Sequence, residues 1–567
     1  MSASISRNYL IDLVRPDGAG PLRCDEREVL QRIFVTVRDQ HWREVAPTEC
    51  KSEFNEALGL ATLTACHQSD SVAFEWKGEL RLSEDRLRLH FQFTGRALRD
   101  MQVCRVGLVV LHPIELMIGS RVIVTGAHSG YEFTPTEVIA PQPVTNGIPG
   151  AITEPFDKLV IERADFGRLD LAFKGDLFEL EDQRNWGDLS FKTYCTPLRF
   201  GFPRELKAGT VVQHSMEARF TPPRAQQKTP PAGYRSGVIP QLGREWSRAD
   251  LSDRGSGEPA SPWSHIYYDA GSLEDLSELE RVLATETTAP LHLAVQAQES
   301  ALSRDALALI VAHRQRIARI FLYGPGISLP SATAISRWRA VLEKAASDRN
   351  IPLSAATRGY FVEINRGVLF DLPVSGIAFP LTATVHSDDP DTICGNVAAV
   401  EDMAQTGLRL TGTDHLSITP LALYYPPSRA AQPFPAPLVA PWLTATLIHA
   451  ALGGIDTVTL ANDILESIVS GPHGNRFLAC LLDLKDKEVA RLSGELPRSL
   501  HAIKFICEAP YEPQVLVANL SSSAVEISLA WLGKDLQIAT DALSGIPLPV
   551  KGGGLVIPGY GVLQLGN

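Results

Sequence analysis

The stretch Glu181-Asp-Gln-Arg-Asn-Trp-Gly-Asp-Leu-Ser-Phe-Lys-Thr-Tyr194 constrains this chain more than any other. It follows a clean strand pattern, then interleaves Glu181, Asp182, Arg184, Asp188 and Lys192 with Trp186, Phe191 and Tyr194. Burying a charge is costly unless the charge is paired. A segment this rich in both charges and rings therefore forms a paired structural network or lines a pocket, and the residues alone leave both open.

The chain has 567 residues, too many for one core, which points to about three or four domains. Apolar residues make up 44% and charged residues 21%, an ordinary globular balance that excludes wholesale disorder. The net charge is −12 and no Lys/Arg block stands out, so neither nucleic acid nor an anionic membrane is an expected partner. No apolar run reaches the roughly 18 to 20 residues of a membrane span, and the first residues lack a signal-peptide core. Eight cysteines are scattered without a C-x-x-C pair. They read as reduced thiols of a cytoplasmic protein, and no metal or other cofactor is expected. The oligomeric state is left open.

The first roughly 220 residues read as β structure. Leu87, Leu89, Phe91 and Phe93 alternate with Arg86, Arg88, His90 and Gln92. Val103 to Leu111 is a more continuous apolar run, as in a strand covered on both faces, and Leu169, Leu171 and Phe173 alternate again. A short helix is expected near Glu26 to Ile33. Residues 221 to 240, with Thr-Pro-Pro twice, have a linker composition. From His265 the pattern alternates strand and helix. Strands are expected at His265 to Asp269, His292 to Gln296, Ile320 to Leu322, Leu353 to Ala356, Gly376 to Phe379, Leu408 to Leu410 and Ile455 to Leu460, with an eighth somewhere in 413 to 427. Ser272 to Asp275 reads as a helix capping box. Alternating βα units favour a parallel sheet, and the lack of a Gly-rich nucleotide fingerprint favours a closed barrel over a doubly wound sheet. Val525, Ile527, Leu529 and Trp531 return to β alternation. The expected fold is multidomain α/β plus β. It comprises an N-terminal antiparallel β-sandwich over 1–225, a linker over 226–262, a catalytic central (β/α)8 TIM-like barrel over 263–468, and a small C-terminal β-sandwich over 469–567.

In such a barrel the chemistry sits at the C-terminal ends of the strands. Glu363, Asn365 and Arg366 follow the fourth strand, with Glu363 as an acid or base. His386 follows the fifth, where a neighbouring carboxylate would orient it as a general base. Asp388 and Asp389 read more simply as caps of the next helix. Asp414 and His415, then Tyr424 and Tyr425, follow the expected sixth strand. Asn462, Asp463 and Glu466 offer either a second carboxylate or a helix cap. There is no G-x-S-x-G elbow, no H-E-x-x-H and no Walker loop, so serine-elbow hydrolysis, a compact zinc site and NTP chemistry are disfavoured. What remains is carboxylate and imidazole chemistry on a neutral, hydroxyl-rich substrate.

Residues 181 to 194 also resemble the signature of the D-apionate lactonase family. Arg105-Val-Gly-Leu-Val-Val-Leu-His-Pro113, Tyr360-Phe-Val-Glu-Ile-Asn-Arg366 and Val385-His386 are similar to that family too. The resemblance implies a three-part layout and hydrolysis of D-apionolactone, or a related sugar lactone, to the aldonate in bacterial apiose catabolism. Under it, Glu363 or His386 activates water, and Asn365, Arg366 or a histidine stabilises the oxyanion. Asp414, His415, Tyr424, Glu181, Arg184 and Trp186 would bind substrate, or Glu181, Arg184 and Trp186 would dock two domains. The layout is also similar to clan-A glycoside hydrolases, in which Glu363 fits the acid/base position. There the chain departs: Thr459-Leu-Ala-Asn-Asp463 has Asn where a nucleophile Glu is expected, and Tyr424-Tyr425-Pro-Pro replaces an Arg-containing run. A glycoside hydrolase pairing Glu363 with Asp463 or Asp414 is the alternative, and a non-catalytic carbohydrate-binding homologue is the third reading.

Overall fold

The computed structural model describes residues 14–566 apart from short stretches, the longest being 224–234, 248–261, 425–433 and 507–514. Residues Met1–Arg184 and Leu189–Pro230 form one compact unit, and Asn185–Asp188 group with Pro231–Asn567 in a second.

The first unit is built from two large antiparallel sheets around one apolar core. The seven-stranded sheet centres on Met101–Pro113, whose residues 103–110 are buried on both faces, as the continuous apolar run requires. This strand pairs with Arg32–Asp39 on one side and Ser190–Tyr194 on the other, in a register that sets His112 opposite Phe191. Two segments that carry the family resemblance are thus adjacent strands. In the nine-stranded sheet, Arg88–Ala97 turns Leu89, Phe91 and Phe93 into the core and its charged residues outward.

The second unit contains a closed barrel of eight parallel strands. These are β1 (Gln241–Glu245), β2 (His265–Asp269), β3 (Leu291–Gln296), β4 (Ile317–Tyr323), β5 (Leu353–Ala356), β6 (Gly376–Thr382), β7 (Leu416–Ala422) and β8 (Thr457–Leu460). Helices α1 (Leu276–Ala284), α2 (Arg304–Ala312), α3 (Ala332–Ala345), α4 (Phe361–Arg366), α5 (Pro390–Asn396), α6 (Ala399–Thr411), α7 (Ala436–Gly453) and α8 (Asn462–Val469) lie between or after the strands. A seven-stranded sheet completes the unit. It runs in the order Ser236–Val238, Glu488–Arg491, Leu500–Phe505, Val515–Asn519, Val562–Gly566, Ile538–Asp541, Pro547–Leu548.

The expectation of a central (β/α)8 TIM-like barrel between two β-sandwiches is therefore corrected. The closed barrel lies in the C-terminal half, the N-terminal region is large sheets, and the last sheet takes in a strand from 236–238. Among the described residues no helix follows β1, and the one after β5 has only six residues. The strand that closes the barrel, β1, lies in the expected linker. Its sequence Gln-Leu-Gly-Arg-Glu has too few apolar residues to reveal it. Leu408 to Leu410 is helical, within α6: Val400, Met403, Ala404, Gly407 and Thr411 are buried at helical spacing, and three alternating residues were too few to decide the period. The expected helix near Glu26 is instead strands Arg27–Leu30 and Arg32–Asp39. Ser272 and Asp275 of the capping box, with Asp388, Tyr425 and Trp531, lie outside the described residues.

Among the described residues, α7 is the helix with the length and hydropathy of a membrane span, and 89% of that window is buried inside the molecule. It packs against α6 and α8 and against five strands of the last sheet. That explains why it is apolar on every face.

Polar side chains fill the N-terminal half of the barrel. The His265 and His292 rings stack at 4.0 Å, and His265 Nε2 lies 2.9 Å from Thr459 Oγ1. His415 Nε2 lies 3.1 Å from Ser417 Oγ, and Arg319 donates to Ser354 at 2.9 Å. Gly243 of β1 makes room for this layer, since a Cβ there would come within 2.1 Å of His265 Nε2. Burial drives His265 and His415 down to about 3 and His292 well below the usual histidine value. In the unfolded chain these imidazoles bind protons from pH ~6.5 downward, while the folded ones stay neutral. Stability is then intact above pH ~6.5 and falls as the pH drops toward 3, by up to about 1.4 kcal/mol per pH unit for each histidine. Calorimetric unfolding at pH 7.5 and 5.5 is expected to show this loss, and His415→Gln to reduce it. A barrel transition that does not move with pH would contradict the assignment.

Candidate active site at the barrel mouth

The 181–194 segment divides into two parts. Its flanks form an antiparallel pair, Glu179–Asp182 with Ser190–Tyr194, inside the first unit. There Arg184 and Asp182 make a two-pronged ion pair, Nη2–Oδ2 2.6 Å and Nε–Oδ1 2.9 Å, with both side chains fully buried. Arg184 also donates to the carbonyls of Thr136 and Glu137, and Ala140 N–H donates to Asp182. Lys192 pairs with Glu181 at 2.7 Å, and Gln142 donates to the same carboxylate. Glu181 and Arg184 therefore belong to a satisfied network within their own unit. A buried pair of this kind tolerates no loss of one partner.

The tip, Asn185 to Asp188, groups with the barrel. Gly187 adopts φ +93°, a backbone that L side chains rarely accept, and a Cβ there would meet Leu381 Cδ1 at 3.3 Å. The turn presents Asp188 to His386: one carboxylate oxygen bonds Nδ1, and the other accepts from Asn396 Nδ2 at 2.6 Å. An ionised Asp188 can only accept, so Nδ1 carries the proton and Nε2 is the basic nitrogen. Trp186 packs edge-on to His386 at 5.8 Å and against Tyr360 at 5.3 Å. Asn365 Nδ2 donates to Asn185 Oδ1 at 2.8 Å.

Glu363 lies in the first turn of α4, just beyond β5, and bonds Arg366 at 2.5 Å. Burial pushes its carboxyl above the usual range, with Arg366 opposing. The structure thus brings Asn365, His386 and Trp186 together through residues 185–188, and pairs Glu363 with Arg366 on α4, beyond the C-terminal ends of β5 and β6. Tyr424 follows β7 and is half-buried, its N–H donating to Asp463.

Other expected residues fall elsewhere or have other work. Asp414 and His415 precede β7, at the opposite end of a strand whose seven residues run roughly 20 Å. Asp463 accepts from the backbone N–H of Leu423, Tyr424 and Ile464, which ties α8 to the end of β7. Asp389 caps α5 through Thr392. Asp176, Cys195 and His214 of the first unit lie together, yet Cys195 approaches Nδ1 at 3.4 Å and Asp176 faces Nε2 at 3.9 Å. The two ring nitrogens diverge, so this is a row of side chains and not a set converging on one ion. A cleft of about 590 Å³ between Arg81, Arg88, His90, Lys158, Asp170 and Arg219 uses exposed or half-buried strand positions of the nine-stranded sheet. None of those residues lies in 105–113 or 181–194.

Sequence reasoning missed Asp188, Asn185, Tyr360 and Asn396 as site members. Asn185-Trp-Gly-Asp188 has turn composition between two strands, and that was the available signal for the tip. The two halves of the segment are separable by stability. Asp182→Ala leaves Arg184 buried and unpaired and is expected to cost about 3–5 kcal/mol, whereas Asp188→Asn keeps an acceptor and is expected to cost about 1 kcal/mol or less. Urea unfolding of both variants checks the difference, and equal losses would refute it.

Residues 14–223 match the family described as D-apionate lactonase, N-terminal domain. A D-apionate lactonase from Brucella anthropi is 25% identical over 232 residues, covering 39% of this chain and 37% of that relative. The match therefore spans under two fifths of the relative's length. Among solved structures, a GH36 alpha-galactosidase from Geobacillus stearothermophilus has 11% identity over 97% of this chain and 91% of its own, at a TM-score of 0.28. A conserved exported protein from Bacteroides fragilis has 10% identity over 58% and 98%, at 0.38. A galactose mutarotase-like protein from Lactobacillus casei has 8% over 35% and 90%, at 0.24. Overlaps at these scores decide neither architecture nor activity. Residues 14–223, which include the 181–194 segment, are thus similar to the N-terminal domain of the D-apionate lactonase family.

Proposed function

We propose that the protein hydrolyses a sugar lactone, D-apionolactone or a close relative, to the aldonate at the barrel mouth. The observation that carries this reading is the Asp188–His386 pair. The segment most characteristic of the family contributes a carboxylate to a histidine beyond β6, which is the arrangement a water-activating base needs. His386 Nε2 takes a proton from water as the water oxygen bonds to the lactone carbonyl carbon. Asn365 and Arg366, which follow β5, are the proposed donors to the developing oxyanion, which a preorganised donor stabilises best. Collapse breaks the acyl C–O bond of the ring. The imidazolium, or the raised-pKa acid Glu363, returns a proton to the leaving alkoxide, and the open hydroxy acid departs as its carboxylate.

The glycosidase reading needs two carboxyl groups roughly 5 to 10 Å apart across the bond. Asp414 lies beyond the far end of β7, and Asp463 is held by three backbone N–H groups. Neither supports Glu363 as a partner. In steady-state assays on D-apionolactone and simple aldonolactones, His386→Ala and Asp188→Asn are each expected to lower kcat by about 10²–10⁴-fold. Glu363→Gln is expected to lower it less. Because burial raises Glu363 and the acid form is the useful one, the activity it supports declines as the pH rises through its pKa, and Glu363→Gln should flatten that limb. Unchanged rates in His386→Ala and Asp188→Asn would refute the proposal, and binding without turnover in the native protein would favour a carbohydrate-binding role.

A further inference from the structure

The ends of β2, β4 and β5 carry an arrangement that water activation does not use. Arg358, two residues past β5, grips Asp269, the last residue of β2, with Nη2–Oδ1 2.7 Å, Nη2–Oδ2 2.8 Å and Nε–Oδ2 3.2 Å. β3 and β4 stand between those strands in the barrel order. The pair therefore bridges strand ends that are not neighbours, and the guanidinium carbon lies 4.8 Å from the centre of the Tyr323 ring at the end of β4. Beneath it the hydroxyls of Tyr323 and Tyr267 meet at 2.7 Å. These two tyrosines form one buried cluster with the small residues Ala294, Ala356 and Ala378.

Several features distinguish this pair from an ordinary surface ion pair. The backbone N–H of Gly271 fixes Asp269 Oδ1 at 2.9 Å, and ring stacking fixes the plane of Arg358. Both side chains still meet solvent, at 27% and 35% exposure. Arg358 Nη1 makes no hydrogen bond among the described residues, so an oriented N–H donor stands beside a solvent-facing carboxylate edge. Glu363 is close by, because a Cβ on Gly359, next to Arg358, would lie 2.8 Å from its Cγ.

A hydroxyl both donates and accepts, so it satisfies Asp269 and Arg358 together. A carboxylate only accepts, and it meets an arginine whose charge Asp269 already balances. We propose that Asp269 and Arg358 form a hydroxyl-reading subsite for a neutral, polyhydroxylated ligand, one that discriminates against the anionic form of the same carbon skeleton. The substrate class rests on the lactone reading above. If that reading holds, the same pair binds lactone and releases aldonate.

The test uses D-erythronolactone and D-erythronate as the neutral and anionic probes, titrated calorimetrically into full-length His386→Ala protein so that the lactone is not consumed. The lactone is expected to bind more tightly than the anion. Asp269→Asn, whose amide oxygen can still accept from Gly271, exposes the Arg358 charge and is expected to shift the preference toward D-erythronate by about tenfold. Arg358→Met is expected to weaken the lactone by about tenfold. A merely structural pair would weaken both probes together. No lactone binding, or an unchanged preference in Asp269→Asn, overturns the subsite. Hydrolysis assays on the His386 wild-type protein report on the lactonase reading separately, so either proposal can fail while the other stands.

Discussion

The buried pair of Asp182 and Arg184 fixes the strand pair of the first unit on which the 181–194 segment is built. Two fully desolvated charges survive only with excellent geometry and with their remaining lone pairs and protons satisfied. Here the guanidinium is forked onto the carboxylate, and its other N–H groups go to the carbonyls of Thr136 and Glu137. The result is a rigid base to the strand pair within the first unit. The carboxylate that orients an imidazole lies in the second unit, where the hydrogen bond from Nδ1 to Asp188 sets both the ring angle and the tautomer.

The same requirement shapes the second unit away from the mouth. Glu401 is buried on α6 and is surrounded by donors: Arg235 at 3.0 Å, Arg491, and His449 of α7 at 2.6 Å, which in turn meets His501 at 2.8 Å. These contacts hold its carboxyl below the usual range in spite of burial. They also join α6 and α7 to the strands Glu488–Arg491 and Leu500–Phe505 of the last sheet. α7 is otherwise apolar all round, so its one histidine supplies direction where hydrophobic packing alone supplies none.

Much of this was legible from residue patterns, and the failures have specific causes. Strict alternation located Arg88–Ala97 and Gly167–Lys174, and the apolar run located Met101–Pro113, because sheet faces impose a period of two. β5 was found at its ends, Leu353 and Ala356, and β8 to within two residues. β1 was hidden because a strand carrying Gln241, Arg244 and Glu245 lacks the apolar signal of a core strand, and its glycine serves the bulk of His265. Among the candidates, Glu363, Asn365 and His386 stand out in the sequence because strand ends are where side chains can converge. Asp188 was visible only as one charge among five, since the direction in which a hairpin tip turns is set by packing.

Each acid at the mouth has a partner, and the partners differ in what they leave available. Asp463 is held by backbone N–H groups, Asp269 by an arginine, and Asp188 by a histidine and an asparagine. Burial shifts Glu363 upward against a single arginine and shifts Asp463 upward against its three backbone N–H donors. A mouth in which Glu363 pairs with an arginine, Asp463 is tied to backbone N–H groups and one imidazole is oriented is poorly matched to displacement at an acetal carbon, where a second carboxylate must face the first. It is better matched to an acyl carbon. There the nucleophile is water, the base needs only a fixed tautomer, and the developing charge sits on an oxygen that neutral or cationic donors can meet.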